Sequence, residues 1–291
     1  MSAATLRYNE SRPDETALTP ARHQRGDGGV DLSFARSGAA TVLKNLYQRT
    51  PCRVLFPRPP SGEAPLAVLV NTAGGLAGGD HVSIAARVEA GAAATVTTQA
   101  AEKIYRSLGP DARVETQLAV AEDARLEWLP QESILFDGAC LDRRLSAAVA
   151  RSGRLLACEM LVFGRAARGE TMTRGRVRES WRIECDGRLA WIDRLGLSND
   201  IAARLDGVGF GGARALATAL YAGPDASALV PLARDVAEAE GGGATLVNGV
   251  LVARLLGAQP GIVREGLARL VGAMRRAVFG SVSPAFALWA T

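Results

Sequence analysis

Val82-Ser-Ile-Ala-Ala-Arg-Val88 sets Val82, Ile84, Ala86 and Val88 on one side of an extended chain, and Val114-Glu-Thr-Gln-Leu-Ala-Val120 repeats the device with Val114, Thr116, Leu118 and Val120. Alternation with period two marks half-buried strands. The signal extends outward from this pair, from Val30 to about Leu220. Turn dipeptides break it at Ala90-Gly91, Gly109-Pro110, Glu122-Asp123, Asp137-Gly138, Ser152-Gly153 and Asp186-Gly187. The last joins Trp181, Ile183 and Cys185 to Leu189 and Trp191, the pattern of a hairpin closed by an Asp-Gly tight turn. Many short strands at fairly regular spacing predict a mainly β fold: a sandwich, a barrel or a β-helix-like stack. Periodicity alone fits all three.

Towards the end the period changes. Ser227 to about Glu240 places Leu229, Val230, Leu232, Ala233, Val236 and Ala237 at helical spacing and stops at Gly241-Gly242-Gly243, which predicts a helix over 227–240. An apolar strand from Thr245 to Leu256 follows. Gly261 to Phe279 then carries Val263, Leu267, Leu270, Met274 and Val278 on one face and mostly arginines on the other, a second amphipathic helix over 261–279. Both stripes are expected to pack on the β core. Residues 1–28 are polar, carry Pro13 and Pro20, and read as a tail that cannot bury enough surface to order itself, with His23 in solvent. The remainder, 29–291, reads as a single β-rich domain.

With 48% apolar residues among 291, the chain can bury a sizeable core. No apolar run approaches the roughly 20 residues of a membrane span, and nothing at the start resembles a signal peptide, so a soluble, cytoplasmic protein is expected. The net charge is only +4 and the arginines are scattered without a basic stripe or interleaved aromatics, which argues against nucleic acid as a partner. Cys52, Cys140, Cys158 and Cys185 lie far apart with no Cys-x-x-Cys pair. They are expected to be reduced core thiols, not zinc ligands.

Three segments carry the chemistry. Leu69-Val-Asn-Thr-Ala-Gly-Gly-Leu-Ala-Gly-Gly-Asp80-His81 runs a strand into two glycine pairs. It lacks the Gly-Lys-Ser/Thr ending of a phosphate loop and runs on into a strand, so a tight corner between strands is the expected role. At its end Asp80 and His81 offer an oxygen and an imidazole to a divalent metal, or simply a solvated terminus. Thr97 to Arg106 concentrates Glu102, Lys103, Tyr105 and Arg106 in an otherwise apolar region, as a polar channel wall or as an irregular connection whose charges pair locally. Glu127-Trp-Leu-Pro-Gln-Glu132-Ser-Ile-Leu-Phe-Asp137 brings carboxylates five apart. On a β stack these suggest, as an alternative function, a carboxylate-dependent carbohydrate-active enzyme. Such enzymes line their clefts with aromatic platforms, and this chain is 5% aromatic with two histidines, so no catalytic site is assigned.

Asn71-Thr-Ala-Gly-Gly-Leu-Ala-Gly-Gly-Asp80, Thr98-Gln-Ala-Ala-Glu-Lys-Ile-Tyr-Arg106 and Leu126-Glu-Trp-Leu-Pro-Gln-Glu-Ser-Ile-Leu-Phe-Asp137, in this order, resemble the urease accessory protein D family, called protein H in some organisms. The matching positions are Asn71, Gly74, Gly75, Gly78, Gly79, Asp80, Lys103, Tyr105, Arg106, Glu127, Trp128 and Pro130. Gly164 to Glu170 and Val250 to Gly257 extend the likeness. The C-terminus departs from it, because Pro284-Ala-Phe-Ala-Leu-Trp289 lacks the arginine of the family's common Pro-Arg-Ile-Trp ending. The resemblance implies a β-helix-like stack with two helices and a non-enzymatic maturation scaffold, a chaperone within a metallochaperone complex. Its implied partners are accessory proteins F and G and the urease apoprotein. It implies no tightly bound cofactor and a transient passage of nickel, with GTP hydrolysis left to protein G. A nickel route needs oxygen and nitrogen donors or ordered water, since a bare divalent ion is costly to desolvate. The expected lining is Glu102, Gln131, Glu132, Asp137, Glu159 and Glu170, with Asp80 and His81 as a transient nickel site.

Overall fold

The computed structural model describes residues 25–281. The chain winds between two sheets. It starts in the first sheet with β1 (Asp27–Ser37) and β2 (Ala40–Arg49), then crosses to the second for β3 (Cys52–Leu55) and β4 (Leu66–Asn71). It returns for β5 (His81–Val88), crosses for β6 (Ala93–Thr98) and the short β7 (Glu102–Ile104), and repeats the circuit with β8 (Ala112–Val120), β9 (Arg125–Leu129) and β10 (Ser133–Leu135). A third circuit uses β11 (Cys140–Val149) and β12 (Arg154–Phe163). β13 (Arg176–Cys185) and β14 (Arg188–Ser198) close the first sheet, and after α1 (Ile201–Asp206) β15 (Ala215–Ala222) joins the second. α2 (Val230–Ala239), the hairpin β16 (Gly243–Val247) and β17 (Val250–Gly257), and α3 (Pro260–Phe279) complete the chain.

Successive circuits stack in parallel. β5 pairs β8, β8 pairs β11 and β11 pairs β13, while β4, β6, β9 and β12 pair in the same sense opposite them. This is a β-solenoid-like stack, and it selects among the three architectures that the alternation allowed. The two stretches that announced the strands lie side by side, with Val82 opposite Val114 and Val88 opposite Val120.

The inward phase of both sheets forms one apolar interior, with Leu32, Phe34, Val96, Leu126, Leu155 and Trp181 fully buried in it. The outer face of the second sheet is covered in turn by the helices, where Leu156, Met160 and Tyr221 meet Ala233, Leu267 and Leu270. Being covered on both faces, β12 is buried from Leu155 to Phe163, the continuous run a doubly covered strand demands. Complete burial of each leucine in this layer is worth about 2 kcal/mol.

Several expectations shift. The first amphipathic segment is split: Ala226–Leu229 forms a 3-10 turn and the α-helix starts at Val230, with Pro231 in its first turn where a missing N–H costs nothing. The second helix begins one residue earlier than expected, at Pro260, and ends at Gly280, which adopts φ +64 and returns its N–H to Arg276 O. Thr245 to Leu256 is not one strand. Asn248 and Gly249 take φ +48 and +81 and fold it into a hairpin. α1, capped by the Asp200 carboxylate on Ala203 N, was not anticipated. β1 begins at Asp27, inside the segment read as a tail, and Asp27 there accepts a hydrogen bond from Arg49 at 2.6 Å. Residues 1–24 of that segment, with His23, and the C-terminal Pro284 to Trp289 lie outside the described residues. All four cysteines are free, and burial raises the thiol of Cys52 to about 11.

Candidate functional site

The family segments interlock because the solenoid stacks them. The glycine loop between β4 and β5 lies against β7. A Cβ on Gly75 would come within 2.7 Å of Lys103 O, and one on Gly78 within 2.0 Å of Ser107 Oγ, so both positions demand the smallest residue. Tyr105 Oη donates to Gly74 O at 2.8 Å, while Lys103 and Arg106 stay exposed. The expected strand-to-strand corner is what the loop forms. Asp80 staples it, accepting from Gly26 N at 2.8 Å and Ala77 N at 2.7 Å. His81 contacts Asp27 at 3.3 Å and Glu115 at 3.8 Å. Among the described residues no group of three or more His, Cys, Asp or Glu is placed to hold a metal ion.

Of the six expected lining residues, Glu102 N donates to Glu132 O at 2.9 Å and Asp137 N to Glu170 Oε1 at 3.2 Å, so these lie on neighbouring turns of the stack, whereas Glu159 sits between the sheets. Glu102 and Asn71 border a recess of about 260 Å³, where Asn71 Nδ2 donates to both Glu102 oxygens at 3.1 Å. Burial raises Glu102 to about 7 against the opposing pull of Asn71, the Lys103 N–H and the Lys103 charge. Glu132 lines a second recess of about 620 Å³ with Lys103, Tyr105, Phe136 and Arg165, and stands 3.5 Å from Arg264. Gln131 is buried next to it and bonds through its backbone N–H to Thr98 Oγ1 at 2.9 Å.

Asp137 and Glu170 shape the loop beyond. Asp137 Oδ1 accepts from Thr173 N, Thr173 Oγ1 and Arg174 N; despite some desolvation, these donors hold its carboxyl below the usual range. A carboxylate so held is a poor proton donor, so in the enzyme alternative Asp137 could serve only as the ionised member of the pair. Glu170 pairs with Arg165, whose guanidinium lies 4.4 Å from the centre of the Phe136 ring.

Glu159 is different. It points from β12 into the space between the sheets, with Arg143 of β11 and Glu179 of β13 facing it, all three under a tenth exposed. Arg143 donates to Glu179 and to Ser133 Oγ, and its Nε stands 3.0 Å from Glu159 Oε2. Trp128 Nε1 donates to Glu159 Oε1 at 3.3 Å. Burial, and after it the neighbouring Glu179, raise the Glu159 carboxyl, while Arg143 and Trp128 oppose them.

The sequence reading named Glu159 and Trp128 but missed Arg143 and Glu179. A signal was available. In Leu141-Asp-Arg-Arg-Leu145 and Val177-Arg-Glu-Ser-Trp181 a charge occupies the same phase as the apolar residues, and period two sends that phase inward.

Residues 26–290 match the family model described as UreD urease accessory protein. A protein of Methylobacterium sp. (strain 4-46) named urease accessory protein UreD is 43% identical over 263 aligned positions, covering 87% of this chain and 93% of that one. A UreD protein of Xanthobacter autotrophicus (strain ATCC BAA-1158 / Py2) is 40% identical across 100% of this chain and 99% of its own length. These relatives carry the names of accessory proteins, maturation factors and not enzymes. With the glycine corner, the β7 segment leading into Tyr105 and the Trp128 strand interlocked in one stack, and with likeness at this level over almost its whole length, the chain belongs to the UreD urease accessory protein family.

Proposed function

We propose that this chain is a maturation scaffold that docks on the urease apoprotein together with accessory proteins F and G and assists delivery of nickel to the urease active site in the cytoplasm. The observation that carries this reading is the family match over residues 26–290. The chain supplies no nucleotide site of its own in this scheme, since its glycine loop closes on β7. Nickel is cargo, taken up and released without a resident cofactor.

Glu159, Arg143 and Glu179 support an internal polar route. Three charged side chains between apolar sheets are costly to bury, and a hydrated ion in transit needs oxygen donors at such a place. Glu102, Gln131 and Glu132 are proposed as donors where the stack opens into the two recesses, with Asp137 and Glu170 shaping its edge. Asp80 and His81 remain a proposed transient contact at the loop surface. Among the described residues no helix is long and apolar enough to cross a membrane.

The test is the nickel content and activity of urease produced from its complete operon with and without this chain. Nickel-poor, inactive urease that recovers when the chain is restored is the expected result; fully loaded urease in its absence overturns the reading. Glu159→Gln then addresses the route: nickel loading falls while the complex with urease still assembles. Loss of assembly would reassign Glu159 to structure.

A further inference from the structure

The largest of the recesses named here, about 710 Å³, opens on the outer face of the first sheet, starting beside the glycine corner, where Arg113 N donates to Asp80 O at 2.8 Å. Strand register builds it. Arg113 of β8, Asp142 of β11, Arg178 of β13 and Gly196 of β14 form one row across the sheet. Glu115, Arg144, Ser180 and Arg194 form the next. Residues of one row share a face, so long arginines surround a floor made of Ser180 and Gly196, where nothing lies within 4 Å of the position a Cβ would take.

The charges are arranged vertically. Asp142 and Asp111 are buried beneath the guanidiniums: Asp142 takes two hydrogen bonds from Arg144, and Asp111 pairs with Arg178 and Arg176. The side chains of Arg144 and Arg178 nevertheless remain 61% and 54% exposed. The acids therefore orient the arginines from below, and the four exposed guanidiniums of Arg113, Arg144, Arg178 and Arg194 outnumber the one half-exposed carboxylate of these two rows, Glu115, which leaves the rim mainly cationic. The side chains of Arg113 and Arg194 make no hydrogen bond or ion pair among the described residues, so two guanidinium forks are uncommitted at opposite ends of the cleft.

Spacing points to the class of ligand. The arginines zigzag over four adjacent strands, and three inter-strand gaps of about 4.8 Å span about 14 Å. A phosphate-sized anion reaches only part of that distance. An extended peptide places alternate side chains about 7 Å apart, so three acidic residues at every second position cover about 14 Å. Planar guanidinium forks suit carboxylates in such a series.

We propose that this cleft binds an extended acidic segment of a partner protein, with Arg113 and Arg194 gripping its two ends. The proposal goes beyond the urease reading and does not depend on it. The test is fluorescence anisotropy of the full chain with a labelled peptide alternating glutamate and serine, and with its glutamine counterpart. The acidic peptide is expected to bind, to weaken as salt is raised, and to bind about tenfold more weakly to the Arg113→Ser/Arg194→Ser double variant. Arg182→Ser, on the same outer face but outside the cleft, should leave binding unchanged. Arg113→Lys/Arg194→Lys keeps the charge without the fork and is expected to fall between, which also separates binding loss from misfolding. Absent binding, equal binding of the glutamine peptide, or no effect of the double variant overturns the proposal. Displacement by inorganic phosphate at concentrations comparable to the peptide also overturns it, in favour of a small-anion site.

Discussion

Glu127 and Trp128 are neighbours in β9, yet period two sends them into different buried charge networks on opposite faces of the second sheet. On the helix side Arg275 of α3 grips Glu127 in fork geometry, Nε to Oε1 at 2.7 Å and Nη2 to Oε2 at 3.0 Å, and reaches Glu63 at 3.1 Å. Thr95 and Ser281 hydroxyls donate to the two carboxylates as well. On the inner side Trp128 donates to Glu159, which shares its network with Arg143 and Glu179, and the satisfaction is incomplete. Arg143 Nε and Glu159 Oε2 are only 3.0 Å apart, but their alignment is too poor for a hydrogen bond, so the contact is an ion pair that leaves both atoms without one. Each network sets two carboxylates against one arginine. One is stapled by hydroxyl donors, whereas the other keeps unspent hydrogen-bonding capacity. The first is suited to holding a helix, the second to handling a proton or a polar guest.

Substitutions can break or sharpen that contrast. Arg143→Met leaves two enclosed carboxylates without their cation and should cost about 3–5 kcal/mol in chemical denaturation. The loss should shrink in mild acid, where the carboxylates can take up protons; a loss that does not depend on pH would contradict the titratable character assigned to this network. Arg275→Met should cost somewhat less, about 3 kcal/mol, because Thr95 and Ser281 continue to serve the carboxylates. Its signature is local: hydrogen exchange should speed up in α3 ahead of the central strands, and uniform acceleration would argue against a staple.

Glu102 extends the contrast to the mouth of the stack. Its carboxyl is raised from 4.5 to about 7 by burial. The unfolded chain therefore releases this proton first, and the group's contribution lowers stability as pH rises between about 4.5 and 7. Glu102→Gln should flatten that part of the stability–pH curve, and an unchanged slope would show that Glu102 does not produce it. The smallest effect belongs to Thr95→Val, which removes one hydroxyl from the saturated network and should cost about 1 kcal/mol by thermal or chemical unfolding.

Much of the fold was legible because its signals are local. The alternation over Val82 to Val88 and Val114 to Val120, the Asp-Gly hairpin with positive φ at Asp186 and Gly187, and the apolar stripe of α3 all stand where they were read. The Asn248-Gly249 hairpin was missed because the apolar residues on both sides of it made one uninterrupted strand pattern. The candidate site was less legible. Glu102, Glu132 and Asp137 were chosen for their charge within glycine- and aromatic-bearing motifs, whereas the enclosed cluster involves Arg143 and Glu179, whose surroundings in sequence are plain strands. Their clue was phase, not motif.

By itself the sequence determined where strands and turns fall, which phase of each strand faces inward, and, through three ordered motifs, the family. Those properties rest on backbone conformation and side-chain alternation within a few residues. Tertiary structure alone decided that the strands stack as parallel circuits, that Arg275 meets Glu127 across 148 positions, and that arginines from four strands share one cleft. Period two is the same in a sandwich, a barrel and a solenoid. Which strands become neighbours, and in what register, depends on closing long loops and on the sum of many weak contacts between distant segments.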